Sequence, residues 1–400
     1  MSLDARSSPA LPTATVLNLY GTGLGIARAL GRHGIPVVGV SNSAHAPGAS
    51  TRYATHLVGP DSESDPEGLR DFLLERVPEE RERGVLYPTR DQDVLFLDAH
   101  RGALETRFAI PQPSGVALAG IMDKARLASL AAACGVETPR TERVSTPEDV
   151  ERVGHGFPYP AVLKPLRAVD WRRPGVWDAV GRRKGMRVDT FDALRRGYER
   201  VAPHAPDAIV QEWIPGAGDQ FFVLGAYIDR TGRVAGTFTA QKMLQYPPDF
   251  GLGCIVRAIQ APDVERIGCA LLEALSFRGV AEVEFKRDVR TGRYRLIEIN
   301  PRHWDQHMLG VTQGVNLPLL VYEDMTGHTV VRPAPRGGRG TWLDERGLAG
   351  SLRSELSRFR FGALGALVRT LFTHRIYTLW AADDPRPFLT AFTPGTRRGA

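Results

Sequence analysis

Acidic and amide side chains alternate along one short stretch of the chain, GVAEVEFKRDVRTGRYRLIEINPRHWD. The turn residues Thr291 and Gly292 predict a hairpin of two strands. Because side chains alternate across a strand, Glu284 lies on one face of the first strand, and Glu298 and Asn300 share a face of the second. If the strands pair in register, these oxygen atoms converge. The stretch therefore predicts an all-oxygen site of the kind that Mg²⁺ prefers.

The alternative is an exposed polar face of the hairpin. The neighbouring positions disfavour it, because the acids alternate strictly with apolar residues: Val283, Phe285, Ile297 and Ile299. Such alternation is typical of a half-buried sheet. Glu282 shares the face of Glu284 but is not included in the predicted metal set.

The first element that can support such a site is a β–turn–α–β unit near the N-terminus. An apolar run at 16–19 meets a glycine-rich turn (Gly21, Gly23, Gly25), and a second apolar run follows at 35–40. The turn matches a dinucleotide fingerprint poorly, because Ile26 occupies the place of its third glycine. This match is the sole basis for an NAD-dependent oxidoreductase, so that function is disfavoured. A tight strand-to-helix turn and a substrate anion at the helix N-terminus stay open as explanations.

Beyond this unit, the pattern predicts α/β units as far as residue 118 and a mixed α+β region after it. In the front part we expect helices at 65–76, 92–104 and 121–135, strands at 84–88 and 108–110, and a turn-rich boundary at 111–119. In the later part we expect strands at 161–164, 208–213, 221–228, 234–239, 279–286 and 294–299, and helices at 146–153, 191–201 and 263–275.

Composition excludes several classes of protein. The net charge of +6 is spread along the 400 residues, without a basic–aromatic motif, so nucleic acid is not an expected partner. No apolar run approaches the roughly 20 residues of a membrane span. Three widely spaced cysteines predict neither a disulfide framework nor a zinc site. Residues 1–14 predict a disordered lead-in without a signal peptide, and the expected location is the cytoplasm.

Several motifs in one order resemble the ATP-grasp superfamily over about residues 122–327. QYPPDFGLG, GVAEVEFKRD and IEINPRHW make the carboxylate–amine ligase group that includes D-aspartate ligases the nearest likeness. The resemblance implies an N-terminal Rossmann-like (pre-ATP-grasp) α/β domain at 15–118. An ATP-grasp fold of two α+β subdomains would follow at 119–328, with a central lid at about 140–213. Residues 329–400 would form a C-terminal extension.

The resemblance also assigns nucleotide-binding residues. Lys124 in MDKARL matches the first phosphate-binding lysine, and Lys164 in YPAVLKPL matches the second. In IVQEWIPG, the implied adenine-binding residues are Gln211, Glu212 and Ile214. Asp219 resembles the residue that binds the ribose hydroxyls. Trp213 is equally well explained as a core residue or as a ring that stacks on adenine.

Two basic residues are implied at the reacting end of the site. Lys242 resembles a residue that reaches the γ-phosphate or the acyl-phosphate, and Arg302 one that stabilises the transferring phosphoryl group. His303, Trp304 and His307 either line an acceptor pocket or pack against the following helix. The segment 166–187 departs from the Gly/Ser-rich phosphate loop of many ATP-grasp enzymes. Its arginines and Lys184 either cover the phosphates or recruit an anionic substrate, or the segment is a mobile lid.

The implied reaction is ATP-dependent ligation of a carboxylate to an amine through an acyl-phosphate, with Mg²⁺, or Mn²⁺ in its place, on Glu284, Glu298 and Asn300. The expected substrates are small molecules, an amino acid or a small peptide-like compound. A homodimer is left open. The alternatives are an ATP-grasp carboxylase, a kinase-like enzyme and a non-catalytic nucleotide-binding regulator.

Overall fold

The computed structural model describes residues 11–78, 82–171, 175–181, 184–247, 251–329, 340–356, 362–370 and 372–392. The first unit in this range is a five-stranded parallel sheet in the order β3-β2-β1-β4-β5. Its strands are β1 (Ala14–Leu17), β2 (Val37–Ser41), β3 (Thr55–Val58), β4 (Gly84–Tyr87) and β5 (Phe108–Ala109). Its helices are α1 (Gly21–Gly31), α2 (Pro66–Arg76), α3 (Asp91–Ala99) and α4 (Arg101–Leu104). The strand order reverses between β1 and β4, the position where open α/β sheets bind ligands.

Two helices lead out of this sheet, α5 (Gly115–Met122) and α6 (Lys124–Ala133). The carboxylate of Asp123 accepts hydrogen bonds from the backbone N–H groups of Ala125 and Arg126, at 2.9 and 3.0 Å. This N-cap satisfies donors that a helix start leaves open, so a new helix begins at Lys124. The expectation of one helix at 121–135 was therefore wrong at its start, and the turn-rich stretch 111–119 ends inside α5.

A four-stranded antiparallel sheet follows, in the order β6-β9-β7-β8. It contains β6 (Thr141–Val144), β7 (Ala161–Pro165), β8 (Met186–Val188) and β9 (Ala208–Glu212), with helices α7 (Pro147–Gly154), α8 (Val176–Ala179) and α9 (Phe191–Val201). The apolar sides of α7 and α9 bury Val150, Leu194 and Tyr198 in a core of this unit alone. The unit lies within the stretch 140–213 for which we expect a lid.

The largest sheet has seven strands in the order β14-β13-β10-β11-β12-β15-β16. They are β10 (Phe221–Ile228), β11 (Val234–Tyr246), β12 (Leu252–Ile259), β13 (Gly279–Arg287), β14 (Tyr294–Asn300), β15 (Gly340–Leu343) and β16 (His374–Tyr377). The accompanying helices are α10 (Pro262–Ala274), α11 (Leu317–Thr326), α12 (Glu345–Leu356), α13 (Gly362–Thr370) and α14 (Arg386–Ala391). Strand β11 continues to Tyr246, beyond the expected end at 239, so Lys242 lies on a strand.

The first sheet and the seven-stranded sheet share one hydrophobic core, in which Val16 and Tyr87 join Phe238 and Trp304. Residues 378–392, here called the C-terminal strap, cross from β16 to α1. Within the strap, Asp384 forms an ion pair with Arg28 at 2.9 Å. The predicted C-terminal extension therefore adds strands to the large sheet and ties it to the first unit. In the described ranges, no helix is long and apolar enough to span a lipid bilayer.

Candidate active site

The β13–β14 hairpin brings the predicted oxygen ligands together. Glu284 pairs with Glu298, and Glu282 pairs with Asn300, with a bulge after Glu284. The Asn300 amide nitrogen donates to Glu282 at 3.0 Å and to Glu298 at 3.3 Å. The side chains of Glu284, Glu298 and Asn300 therefore converge, and Glu282 joins the same cluster, with the Asn300 oxygen accepting from a terminal nitrogen of Arg302 at 3.4 Å.

Lys242 on β11 adds a cation to this cluster. Its ammonium donates to the Glu284 carboxylate, and both side chains are 9% exposed. Burial disfavours the ammonium, but the charges of Glu284 and Glu282 outweigh that effect and raise the pKa of Lys242. Lys242 is thus charged, and it lies with Glu284 on the wall of a cavity.

The carboxylates of the cluster differ in proton affinity. Burial raises the pKa of Glu282 to about 7, against the opposing charge of Lys242. Burial acts on Glu298 in the same direction, but Lys124, Lys184 and Lys242 outweigh it, together with Lys164, and lower its pKa to about 2. Glu298 is therefore ionised throughout the physiological range, as an oxygen ligand for a cation must be.

Lys164 lies at the end of β7 and points to the neighbouring strand. Its ammonium donates to the side-chain oxygen of Gln211 at 2.9 Å, and the Gln211 amide nitrogen donates to Thr141 at 3.0 Å. Burial lowers the pKa of Lys164 to about 8, and the charge of Lys124 adds to that effect. Gln211 thus holds a lysine in place, a role that sequence reasoning did not anticipate.

A cavity of about 350 Å³ lies where the three sheets meet. All but one of the predicted site residues line it: Lys124, Lys164, Gln211, Glu212, Ile214, Lys242, Glu284, Glu298, Asn300 and Arg302. The exception is Asp219. Its backbone carbonyl accepts from Gln241 at 2.8 Å, and its carboxylate accepts from Gln220 at 3.0 Å. The ribose role of Asp219 therefore has no support from the geometry.

Arg302 contacts the cavity but also joins two units of the fold. Its Nε donates to Asp91 of α3 at 2.6 Å, and one terminal nitrogen donates to the His303 carbonyl at 3.2 Å. Burial disfavours the guanidinium, but Asp91 outweighs that effect and raises the pKa of Arg302. Sequence reasoning missed this partner, because the two residues are 211 positions apart.

The glycine-rich turn after β1 lies against the carboxylate of Asp305. Thr22 donates its hydroxyl proton to Asp305 at 2.5 Å, and a side chain at Gly21 would lie 3.1 Å from the same oxygen. An acidic side chain thus already lies at the N-terminus of α1, where the helix dipole favours it. This geometry favours the structural explanation of the glycines over an anion site.

Of the remaining residues named in the sequence analysis, some line the cavity and others are buried in the core. Trp213 and Trp304 line the cavity, whereas His303 and His307 are fully buried and are not among its lining residues. From the segment 166–187, the residues on the wall are Trp171, Trp177 and Lys184. Residues 172–174, 182–183 and 248–250, which include arginines expected near the phosphates and part of QYPPDFG, lie outside the described residues.

The side chains of this cluster fit a magnesium ion that takes its remaining ligands from water and from the phosphates of a nucleotide. In the described ranges, no three histidine, cysteine, aspartate or glutamate side chains are arranged as a self-sufficient metal site. Two carboxylates and one amide oxygen are an incomplete set, which suits Mg²⁺ because it usually retains water and phosphate ligands. The lysines around Glu298 provide matching positive charge for the phosphates.

Known proteins resemble this chain in sequence and in fold. No protein-family model matches the chain. A D-aspartate ligase from Enterococcus faecium (strain Aus0004) is 27% identical over 295 residues, which cover 69% of this chain and 68% of that protein.

The solved structures that are similar in fold include the following two. The biotin carboxylase domain of the Hydrogenobacter thermophilus 2-oxoglutarate carboxylase, in complex with MgADP, ADP and bicarbonate, has a TM-score of 0.62 and 18% identity, covering 83% of this chain and 74% of that one. The L-amino acid ligase of Bacillus licheniformis has a TM-score of 0.60 and 17% identity, covering 81% and 76%. The chain therefore has the same fold as these two enzymes and resembles a D-aspartate ligase in sequence over about two thirds of its length.

Proposed function

We propose that this protein uses ATP to join the carboxyl group of one small molecule to the amine of another, with an amino acid or a small peptide-like compound among its substrates. One observation carries the proposal. The acidic and amide side chains of β13–β14 line the same cavity as lysines from several other elements. The D-aspartate ligase relative supports ligation over carboxylation, because the biotin carboxylase likeness extends only to the fold.

The proposed role of each residue follows from its position in the cavity. Glu284, Glu298 and Asn300 would hold Mg²⁺, or Mn²⁺ in its place, and the ion would offset charge on phosphate oxygens. Lys124 and Lys164 would bind the phosphates. Adenine would contact the strand end at 211–214, and ribose contact by Asp219 stays a prediction.

The reaction follows from that placement. A donor carboxylate oxygen bonds to the γ-phosphorus of ATP as the bond to ADP breaks, which gives an acyl-phosphate. The amine nitrogen then bonds to the acyl carbon as phosphate leaves, and the amine gives up a proton. Lys242 and Arg302 would stabilise the charge that develops on the phosphoryl group. Trp171 and Trp177 on the cavity wall would help to exclude water, which would otherwise hydrolyse the intermediate.

The test is a screen of carboxylates and amines, scored by release of ADP and phosphate and by mass spectrometry of the product. Glu298→Gln serves as the inactive control, and Glu273→Gln, at an exposed position on α10, as the matched active one. ADP together with an amide product supports the proposal. AMP with pyrophosphate, or ADP release that needs bicarbonate and no amine, would contradict it. The cytoplasmic location and a homodimer remain predictions.

A further inference from the structure

Arg302 is held at the cavity wall by two different units of the fold. Its Nε donates to the Asp91 carboxylate at 2.6 Å, and one terminal nitrogen donates to the Asn300 side-chain oxygen at 3.4 Å. The other terminal nitrogen donates to the carbonyl of His303 at 3.2 Å. Asp91 and Arg302 are 14% and 17% exposed, and both line the cavity. The guanidinium therefore joins α3 of the first unit to the oxygen cluster of the β13–β14 hairpin.

The start of α3 gives Asp91, its first residue, a fixed position. Asp93 lies in the same turn and is fully buried, and its carboxylate accepts from the backbone N–H groups of Thr89 and Arg90, at 3.1 and 3.0 Å. It also accepts from the Asn18 side chain at 3.0 Å, so it ties α3 to the residue that follows β1. A carboxylate on such a hydrogen-bonded helical turn restricts its partner more closely than one on a loop.

The benefit of Asp91 to Arg302 is one of position. A guanidinium stays protonated in proteins with or without a carboxylate beside it, so Asp91 is not needed for the charge of Arg302. The negative charge of Asp91 also opposes the binding of an anion in the same cavity. By contrast, a long arginine side chain loses much conformational freedom when it takes a single position, and an ion pair through Nε provides that restriction in advance.

We propose that Asp91 is a positioning residue for phosphoryl transfer: it fixes Nε of Arg302, so that the terminal nitrogens face the phosphoryl group as it passes from ATP to the substrate carboxylate. The inference rests on the proposed function, since it requires phosphoryl transfer in this cavity. Asn300, one of the proposed metal ligands, borders the same guanidinium on its other side. The first unit thus contributes to the reaction through α3, although Asp91 itself acts only through Arg302.

The experiment is calorimetric titration of the full chain with MgADP, followed by titration of the MgADP-saturated protein with aluminium fluoride. Aluminium fluoride beside ADP mimics the phosphoryl group during transfer, so its binding reports interactions made at that stage. Asp91→Glu retains the charge and moves the carboxylate by one methylene. We expect it to weaken aluminium fluoride binding by roughly 10-fold or more, since a displacement of about 1 Å can cost up to about 100-fold, and to leave MgADP binding within about twofold.

Three further variants sharpen the test. In the background of Arg302→Lys, which replaces the planar guanidinium by an ammonium, Asp91→Glu should change aluminium fluoride binding by less than about twofold. Asp98→Glu makes the same change on the same helix, at a position that is not among the described lining residues of the cavity, and should bind both ligands like the wild type. Should Asp91→Glu not fold, Asp91→Asn carries the test. Its lost charge affects both ligands, so the ratio of aluminium fluoride affinity to MgADP affinity should still fall about threefold.

The outcomes separate this inference from the proposed function. A wild-type protein that binds no MgADP, or that binds MgADP but no aluminium fluoride, contradicts the proposed function. If the wild type binds both and folded Asp91→Glu binds both equally well, the role of Asp91 is contradicted while the proposed function stands. Equal losses for the two ligands, or an undiminished effect of Asp91→Glu beside Arg302→Lys, would also contradict that role, because Asp91 would then act independently of the guanidinium.

Discussion

Two buried ion pairs in this protein have opposite surroundings. Arg28 and Asp384 join α1 to the C-terminal strap, with side chains 4% and 1% exposed. The Asp384 carboxylate also accepts from the Thr51 hydroxyl at 2.6 Å and from the Arg52 backbone at 3.1 Å. Arg28 donates further to the carbonyls of Leu379 and Asp384, at 2.7 and 2.9 Å. Both members of this ion pair therefore form further hydrogen bonds.

The pair of Lys242 and Glu284 lies instead on the cavity wall, among further acids and lysines. Its members have other partners within reach, and an arriving phosphate or cation can exchange with either of them. We infer that one kind of contact serves two purposes here. The sealed and hydrogen-bonded pair of Arg28 and Asp384 stabilises the fold, whereas the pair on the cavity wall is proposed to hold charge for a ligand.

The largest effect should come from breaking the sealed pair. Asp384→Ala leaves the Arg28 guanidinium buried without its carboxylate, so the free energy of unfolding should fall by about 3–5 kcal/mol. Urea unfolding followed by circular dichroism measures this loss. Combining it with Arg28→Met should recover part of the stability, because the uncompensated charge is then gone. An unchanged unfolding midpoint in Asp384→Ala would show that the strap does not stabilise the fold.

A smaller effect is expected from Lys164 on the cavity wall. Lys164→Met should weaken ADP binding by roughly 10-fold or more, since one charged contact to phosphate is lost. With a pKa of about 8, Lys164 is partly neutral in the empty protein above that pH. Phosphate favours the charged form, so ADP binding between about pH 8 and 9 should take up a proton and weaken as the pH rises.

Calorimetry in two buffers of different ionisation enthalpy measures this uptake, which should be absent in Lys164→Met. Equal proton uptake in the variant would assign it to another group. The effect of pH on the stability of the protein is opposite to its effect on ADP binding. Because burial lowers the pKa of this lysine, the unfolded chain binds more protons from about pH 8 up to the ordinary lysine value of about 10.4, and Lys164 makes the empty protein more stable as the pH rises.

The smallest effect should come from the neighbouring pair on the strap surface. Arg32 and Asp383 are 36% and 43% exposed, so water screens their attraction. Asp383→Asn should cost less than about 1 kcal/mol in the urea experiment. The Arg32 hydrogen bond lowers the pKa of Asp383, and its contribution is therefore lost only as the pH falls toward acid values. A loss as large as that of Asp384→Ala would remove the distinction between sealed and exposed pairs.

The hairpin end of the site could be predicted because its information is local. A period of two and a short turn are enough to place Glu284 beside Glu298, and β13 and β14 pair as that pattern requires. The same alternation puts Lys286 on the face of Glu282 and Glu284, and it is the signal that could have predicted the place of Lys286 on the cavity wall. The division into a front α/β part and a later α+β part also followed from the apolar runs, whereas the two α+β subdomains were implied by the resemblance alone.

Long-range pairings left no such signal. Arg28 and Asp384 are 356 positions apart, and neither lies in a pattern that specifies the other. The partners of Gln211 and Arg302 depend likewise on how the sheets pack. The resemblance alone assigned a ribose role to Asp219, whose contacts with Gln220 and Gln241 no local pattern specifies, and that role stays a prediction.

The most direct test of the central claim is the coupling between Mg²⁺ and ADP in binding experiments. We predict that Mg²⁺ strengthens ADP binding in the wild type, and that the gain is lost in Glu298→Gln, although that variant retains its fold and binds ADP without metal. Calorimetry with Mg²⁺ and with EDTA gives the four affinities of the cycle. An equal gain from Mg²⁺ in both proteins would contradict the assignment of the β13–β14 acids as the ligands of a nucleotide-bound metal ion.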